Sequence, residues 1–279
     1  MALATLNCMT QSSIAFIGGG NMAGALIGGL RRAGWTAESV IVVEPVPAQR
    51  DKLAQACGVV AQAAADARLA AAATVVWAVK PQLFAEAATP CAPYIGQALQ
   101  VSVMAGVPIS AIVRASGSAQ VVRSMPNTPA LIGRGIAGLH ASAAVTAAQR
   151  AAVEALFAPT GATLWLDDES LLDAVTALSG SGPAYVFYVA EAMVEAGVQM
   201  GLSAAQARTL ALATFDGAAA LAAASPLPLA ELRAQVTSKG GTTHAAIGAL
   251  EGSGVKQAFV QALHAAQRRA RELGAQAGA

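Results

Sequence analysis

The stretch "IAFIGGGNMAGALIGGL", residues 14–30, places Gly18, Gly20 and Ala23 at the spacing G-x-G-x-x-A, between a short apolar run and a segment of helical length. That context is the one a dinucleotide-binding turn requires. The first glycine makes the turn, the second lets a pyrophosphate approach the backbone, and the small third residue lets helix meet strand. Unpaired N–H groups at the helix start then face the phosphates. A glycine-rich turn that binds nothing is the competing account. A second apolar run ends at Glu44, where an acidic side chain would hold the adenosine ribose hydroxyls; a solvated strand end competes with it.

Three more segments fall at expected strand ends, the edge of a doubly wound sheet where ligands collect: "AVKP", "VSVMAG" and "MPNTP". Lys80 stands either near the cofactor's phosphates or nicotinamide, or simply in solvent. Pro81, Pro126 and Pro129 stop the strands and set the chain direction, whatever the function.

The elements that hold these segments divide in two. The first half alternates β-rich runs with alanine-rich helical segments, the pattern of a parallel sheet with crossover helices. Strands are expected at 14–17, 40–43, 74–79, 99–103, 121–124 and 163–166. Thr146 and Gln149 form a capping box opening a helix towards Phe157. After Leu166 the strand signal stops, and helices are expected at 183–199, 203–224, 229–236 and 255–273. The expectation is an α/β Rossmann-type doubly wound domain over 1–166, followed by an all-α domain over 167–279. The helical part lacks a distinct core of its own, which points to a homodimer at least.

Composition narrows the partners. The chain of 279 residues is 55% hydrophobic and 12% charged, with much of the apolar share in alanine, which suits close-packed helices. Seventeen basic and sixteen acidic residues nearly cancel, and no basic stripe interleaves with aromatics, which argues against nucleic acid. "MALATLNCMTQSS" has no positive flank, and no run reaches the roughly 18–20 apolar residues of a membrane span, so a cytoplasmic protein is expected. Cys8, Cys57 and Cys91 are widely spaced, and His140, His244 and His264 form no ligand pair, so no metal is expected.

Taken in order, "FIGGGNMA", "AVKP", "MPNTPA", "DAVTALSGSGPAY" and "VTSKGGTT" resemble the pyrroline-5-carboxylate reductase family, from about Ile14 to the last helix. The last two motifs are far more specific than the glycine turn. The resemblance implies a Rossmann domain, a helical dimerisation domain, and hydride transfer from NADPH or NADH to the C=N bond of a cyclic imino acid, the last step of proline synthesis. It also implies dimers that often assemble into decamers.

Carried over by residue, the resemblance puts Ile17, Gly18, Gly19, Gly20, Asn21 and Met22 on the cofactor. Ala78, Val79, Lys80 and Pro81 join them, beside Ala23 and Glu44 of the turn. Met125, Pro126 and Asn127 fall on the substrate side. Ser238, Gly240, Gly241, Thr242 and Thr243 enclose the substrate, and Thr243 matches the threonine whose hydroxyl reaches the ring nitrogen.

The chemistry agrees with the residue content. An imine that enters protonated needs less proton handling than a ketone, so no catalytic His or Lys is obligatory. The turn "GGTT" ahead of a helix offers backbone donors to a carboxylate, and Thr243 offers a hydroxyl to the nitrogen. Ser238, Thr242 and Thr243 could equally cap that helix. Ser179 to Pro183 likewise suit a helix start with proline in its first turn.

Two departures bear on detail. Lys239 stands where the family usually has proline, which loosens the loop and adds a charge that could attract the substrate carboxylate. Ala65 takes a position that is often asparagine near the adenosine end, which with Glu44 leaves NADPH against NADH open. A β-hydroxyacid dehydrogenase would need a lysine on the first long helix of the second domain, and 172–201 contains none. A nucleotide-sensing module that lost the reaction would have eroded the 238–243 turn, which is intact apart from Lys239.

Overall fold

A computed structural model of the chain describes residues 13–278. Cys8 and the segment ahead of Ser13 lie outside the described residues.

The β-branched runs form strands as their composition demands. In chain order the first elements are β1 (Ser13–Ile17), α1 (Asn21–Arg32), β2 (Val40–Val43), α2 (Pro47–Cys57) and β3 (Ala72–Trp77). Short helices α3 (Phe84–Ala88) and α4 (Ala92–Ile95) lead to β4 (Leu99–Ser102), α5 (Ile109–Ser116) and β5 (Val121–Met125). The sheet is completed by β6 (Gly135–Ala141), α6 (Ala147–Phe157) and β7 (Gly161–Trp165).

The seven strands lie in the order β2-β1-β3-β4-β5-β6-β7. From β2 to β5 all neighbours are parallel, β6 runs antiparallel to β5, and β7 is parallel to β6. This is a Rossmann-type α/β sheet. Its strand order reverses between β1 and β3, so the crevice for a ligand opens beyond the carboxyl ends of those two strands.

Both faces of the sheet are covered, and strand residues alternate between two cores. Phe16 and Val76 face one core with Leu26 and Ile27 of α1. Ile17 and Trp77 face the other with Ile95 and Ile112. Each such fully buried large side chain contributes roughly 1.5–3 kcal/mol. Trp77 is fully buried, and its indole N–H donates to Gln100 Oε1 at 2.9 Å, while Gln100 Nε2 donates to the carbonyls of Ile95 and Ala98. The polar end of each side chain is thereby satisfied inside the core.

Strand β6 was not among the expected strands. Its sequence "GIAGLHA" contains two glycines, which break the usual strand signal, and the tertiary contacts explain both. A Cβ on Gly135 would lie 2.8 Å from the Ala130 amide nitrogen, and one on Gly138 would lie 2.8 Å from the Val175 side chain. The expected strand 74–79 ends at Trp77, which leaves residues 78–81 in the connection at the crevice. Thr146 does cap α6 in a reciprocal capping box with Gln149.

Helices follow the last strand: α7 (Leu171–Val175), a π turn at Thr176–Gly180, α8 (Gly182–Gln199) and α9 (Ala204–Ala224). After them come α10 (Leu229–Gln235), α11 (Thr242–Gly252) and α12 (Val255–Gly278). Ser203 and Gln206 form a second capping box at α9. Two compact units are present, one reaching to Ser181 and including the stretch from Ala266, the other Gly182–Ala265.

Within the second unit the buried residues of α8 to α11 are Ala190, Gly197, Ala207 and Ala211. A Cβ on Gly197 would lie 2.8 Å from that of Ala207, so α8 and α9 meet through small residues. Large apolar side chains point outward instead: Phe187 is 61% exposed, Tyr188 73% and Leu229 72%. No helix among the described residues is long and apolar enough to cross a membrane.

Candidate functional site

The three glycines behind β1 have three different reasons to be glycine. Gly18 adopts φ +98°, and its Cβ would lie 2.6 Å from the carbonyl oxygen of Ala78 at the end of β3. Its N–H donates to Val43 O at 2.8 Å, so the turn is pinned between β2 and β3. Gly19 has no room for a side chain either, because a Cβ would meet Leu53 Cδ1 at 2.6 Å and Glu44 Cγ at 3.1 Å. Gly20 is different. Its φ of −70° is open to any residue, and a Cβ there would meet nothing within 4 Å. Nothing in the chain itself requires glycine at this position, and the space in front of it suits a pyrophosphate.

Gly20 is the N-cap of α1 and gives no side-chain cap, so the first-turn N–H groups of Asn21, Met22 and Ala23 stay open towards that space. No acidic residue occupies this turn, while Arg31 and Arg32 sit at the opposite end, an arrangement that favours an anion at the start of the helix. Lys52 Nζ donates to Asn21 Oδ1 at 3.3 Å, bringing a cation beside the turn. Periodicity offered no reason to single out Lys52. A shallow cavity of about 150 Å³ lies there between Gly20, Lys52, Leu53 and Leu131. These residues fit a dinucleotide, with Ile17 buried behind the turn and Ala23, fully buried, packing helix onto strand.

Glu44 is not a solvated strand end. It is 7% exposed, its Oε2 accepts the Gly19 N–H at 2.7 Å, and its Oε1 accepts the Val46 N–H at 2.8 Å. Arg50 Nη1 donates to the carbonyls of Glu44 and Pro45, closing the same connection from the α2 side. Opposite, Ala78 N–H donates to Ile17 O at 2.8 Å, tying the exit of β3 to the turn. Val79 is half-buried, and Lys80 is exposed ahead of a 3-10 turn begun by Pro81.

At the end of β5 two of the quoted motifs interlock. Met125 is half-buried and Pro126 buried. A Cβ on Gly180 would lie 2.6 Å from the Met125 methyl, and Asn127 Nδ2 donates to Ser179 O at 3.1 Å. The "SGSGP" segment carries the end of the π turn Thr176–Gly180 into α8, with Ser181 N–H reaching back five residues to Thr176 O at 2.8 Å. Pro183 does fall in the first turn of α8. π turns of this kind gather at functional sites.

In the second unit Gly240 takes φ +76°, and Gly241 is the N-cap of α11. No side chain caps this helix, which corrects the expectation that Ser238, Thr242 or Thr243 would do so. The reason is positional: both threonines are already inside the helix, and the turn is closed by the Gly241 N–H donating to Ser238 O at 3.0 Å. A Cβ on Gly241 would lie 2.6 Å from Ser238 Oγ. The half-buried Thr243 thus stands in the first turn with its hydroxyl not committed to a cap, beside uncapped N–H groups. Lys239 is exposed on the same turn.

A family model described as pyrroline-5-carboxylate reductase dimerisation matches residues 169–273, and one described as NADP oxidoreductase, coenzyme F420-dependent, matches residues 13–106. A pyrroline-5-carboxylate reductase of Pseudomonas aeruginosa is 46% identical over 97% of this chain and 100% of its own length. The chain belongs to the pyrroline-5-carboxylate reductase family. A reductase of that name from Haemophilus influenzae is 38% identical over 95% of this chain and 98% of its own. The solved pyrroline-5-carboxylate reductase of Coxiella burnetii superposes with a TM-score of 0.86 at 36% identity, covering 95% of this chain and 99% of that one. The Plasmodium falciparum enzyme, solved with NADP bound, gives the same TM-score at 27% identity, covering 95% and 99%.

As a pyrroline-5-carboxylate reductase family member, the chain is an NAD(P)-dependent oxidoreductase acting on a C=N bond. NAD(P)H, when bound, supplies the hydride. At the start of α1 the uncapped N–H groups suit phosphates, and at the start of α11 the uncapped N–H groups and the Thr243 hydroxyl are left uncommitted to a cap.

Proposed function

We propose that this chain reduces 1-pyrroline-5-carboxylate to L-proline with NADPH or NADH, the last step of proline biosynthesis. Near full-length similarity to reductases of that name supports the substrate. The observation that supports the cofactor side is the open cradle at Gly20 in the first unit, suited to phosphates; in the second unit, taken by itself, the uncapped helix start at Thr242–Thr243 suits a carboxylate.

In this reading residues 1–166 bind the dinucleotide and 167–279 bind substrate and dimerise. Ile17 to Ala23, Glu44 and Ala78 to Pro81 form the cofactor side. Ser238, Gly240, Gly241 and Thr242 surround the carboxylate, Met125 and Pro126 wall the ring, and Thr243 donates to or accepts from the ring nitrogen as it becomes an amine. The exposed apolar residues of α8 to α10 support a homodimer, and assembly of such dimers into a decamer is the further step proposed. The cytoplasm is the proposed location.

The test is oxidation of NADPH and NADH by the purified chain with 1-pyrroline-5-carboxylate, with L-proline identified as product. Turnover giving proline is expected. No cofactor oxidation with this imine by a folded, cofactor-binding protein would overturn the reading.

A further inference from the structure

Helix α5 begins at Ile109 behind Pro108, which has no side-chain group to cap it, so the Ile109 N–H is an orphan donor of a helix start. Glu169 supplies the missing acceptor from 60 residues away: its Oε1 takes the Ile109 N–H at 2.8 Å. The same oxygen accepts Arg123 Nη1 of β5 at 2.7 Å. The Arg123 side chain is 10% exposed and its Nε has no hydrogen-bond partner among the described residues, so Glu169 offsets a buried cation as well as capping a helix.

This junction holds the turn 103–108 at the carboxyl end of β4. Val103 N–H donates to Trp77 O at 3.0 Å, which sets the start of the turn beside the exit of β3, and Met104 and Val107 are buried. Gly106 takes φ +78°, and a Cβ on it would lie 2.8 Å from Gly274 Cα of α12. The turn is thus fixed at its start, at its middle and, through Glu169, at its end. Strand order gives it a place along the cofactor. In the order β2-β1-β3-β4 the adenosine half belongs at β2 and the pyrophosphate at the turn after β1, so a dinucleotide laid across the crevice brings its nicotinamide half to β3 and β4.

We propose that Glu169 is a positioning residue for the nicotinamide half of the cofactor: held by Arg123, its carboxylate caps α5 and so fixes the turn 103–108 at the edge of the crevice. It acts through the turn and not through a bond to the cofactor. This rests on the proposed cofactor side, whose own test is the loss of ADP and NAD(P)H binding together in Gly20→Val.

Two double variants separate the acceptor from the ion pair. Arg123→Met with Glu169→Gln removes both charges but leaves an oxygen for the Ile109 N–H; Arg123→Met with Glu169→Met removes that oxygen too. Neither leaves a lone buried charge, so both are expected to fold. With Glu169→Met, affinity for NADPH and NADH is expected to fall about 5- to 100-fold, as for one buried N–H left unpaired. With Glu169→Gln it should stay within about threefold of wild type, because the acceptor is kept. ADP carries adenosine and pyrophosphate but no nicotinamide, and its affinity should be nearly the same in all three proteins. Parallel loss of ADP and NAD(P)H, equal weakening in both variants, or full NAD(P)H affinity without the acceptor overturns the proposal.

Ile109→Pro breaks the same bond from the other side if the Glu169→Met protein does not fold. Proline suits the first position of a helix, and Pro108 ahead of it is already extended at ψ 158°. The same split between NAD(P)H and ADP is expected of it, and its absence overturns the proposal. Amide exchange at Ile109 gives a readout without any cofactor: faster with Glu169→Met, near wild type with Glu169→Gln. Exchange unchanged by Glu169→Met also overturns the proposal. A wild-type chain that binds NAD(P)H but does not reduce the imine counts against the reductase reading alone, since binding and exchange still decide this one.

Discussion

The carboxylate of Glu44 accepts the N–H of Gly19 at 2.7 Å from beneath the glycine turn, while its other oxygen holds the Val46 N–H. An acidic side chain at the end of β2 therefore shapes the phosphate turn. Glu44→Gln provides one acceptor where two are used, and a buried N–H left unsatisfied costs about 1–3 kcal/mol. Affinity for NADH is expected to fall measurably, and affinity for NADPH to fall less because a negative charge has gone. Titrations following nicotinamide fluorescence check both. Unchanged NADH binding would show that the brace does not order the turn.

Gly18 and Gly20 should respond in opposite ways to a side chain. Gly20→Val meets no atom of the chain, so the fold should persist while NAD(P)H binding is lost or strongly weakened. Gly18→Ala forces a Cβ onto Ala78 O at a positive φ, and should cost at least about 1–3 kcal/mol of stability. Urea unfolding and cofactor titration on both variants separate the two effects. A folded Gly20→Val with wild-type affinity would move the pyrophosphate elsewhere.

Thr243 does not cap α11, so Thr243→Ala should leave stability nearly unchanged. If its hydroxyl bonds the ring nitrogen, the loss is about 1.5–3 kcal/mol, or about 10- to 150-fold in kcat/KM. That loss is the expected outcome, with cofactor affinity retained and Thr243→Ser largely active. Steady-state kinetics on the folded variants decide it, and wild-type kcat/KM for Thr243→Ala would remove the hydroxyl from the mechanism.

The second unit buries only alanines and a glycine in α8 to α11 and leaves Phe187, Tyr188 and Leu229 outside. A second copy is the proposed cover, so dilution to monomer should abolish reduction in step with dissociation. Light scattering at assay concentration follows the state of assembly. A fully active monomer is the result that refutes this.

Burial pushes the Cys91 thiol up to about 11, and the residue is 1% exposed. With so little thiolate at neutral pH and no access, Cys91 should escape iodoacetamide in the native protein and react once it is unfolded. Peptide mass spectrometry before and after denaturation tests this. Native labelling at Cys91 would mean that the core around it opens readily.

Much of this protein is determined by chemistry between residues a few positions apart, which a linear sequence displays directly. The β-branched runs at β1, β2 and β4 and the capping box at Thr146 depend on periods of two to four residues, and they form as expected. The glycine turn is equally local, and its helix begins where the spacing puts it. What only the tertiary structure decided involves partners far apart in the chain. Glycines hide β6 because other backbone and side chains press on Gly135 and Gly138. Glu44 turns inward because an N–H 25 residues away needs an acceptor. Asn127 and Ser179 meet across 52 residues, joining the end of β5 to the π turn. In each case a hydrogen bond or a packing distance settles the outcome, and neither exists until the fold brings the two segments together.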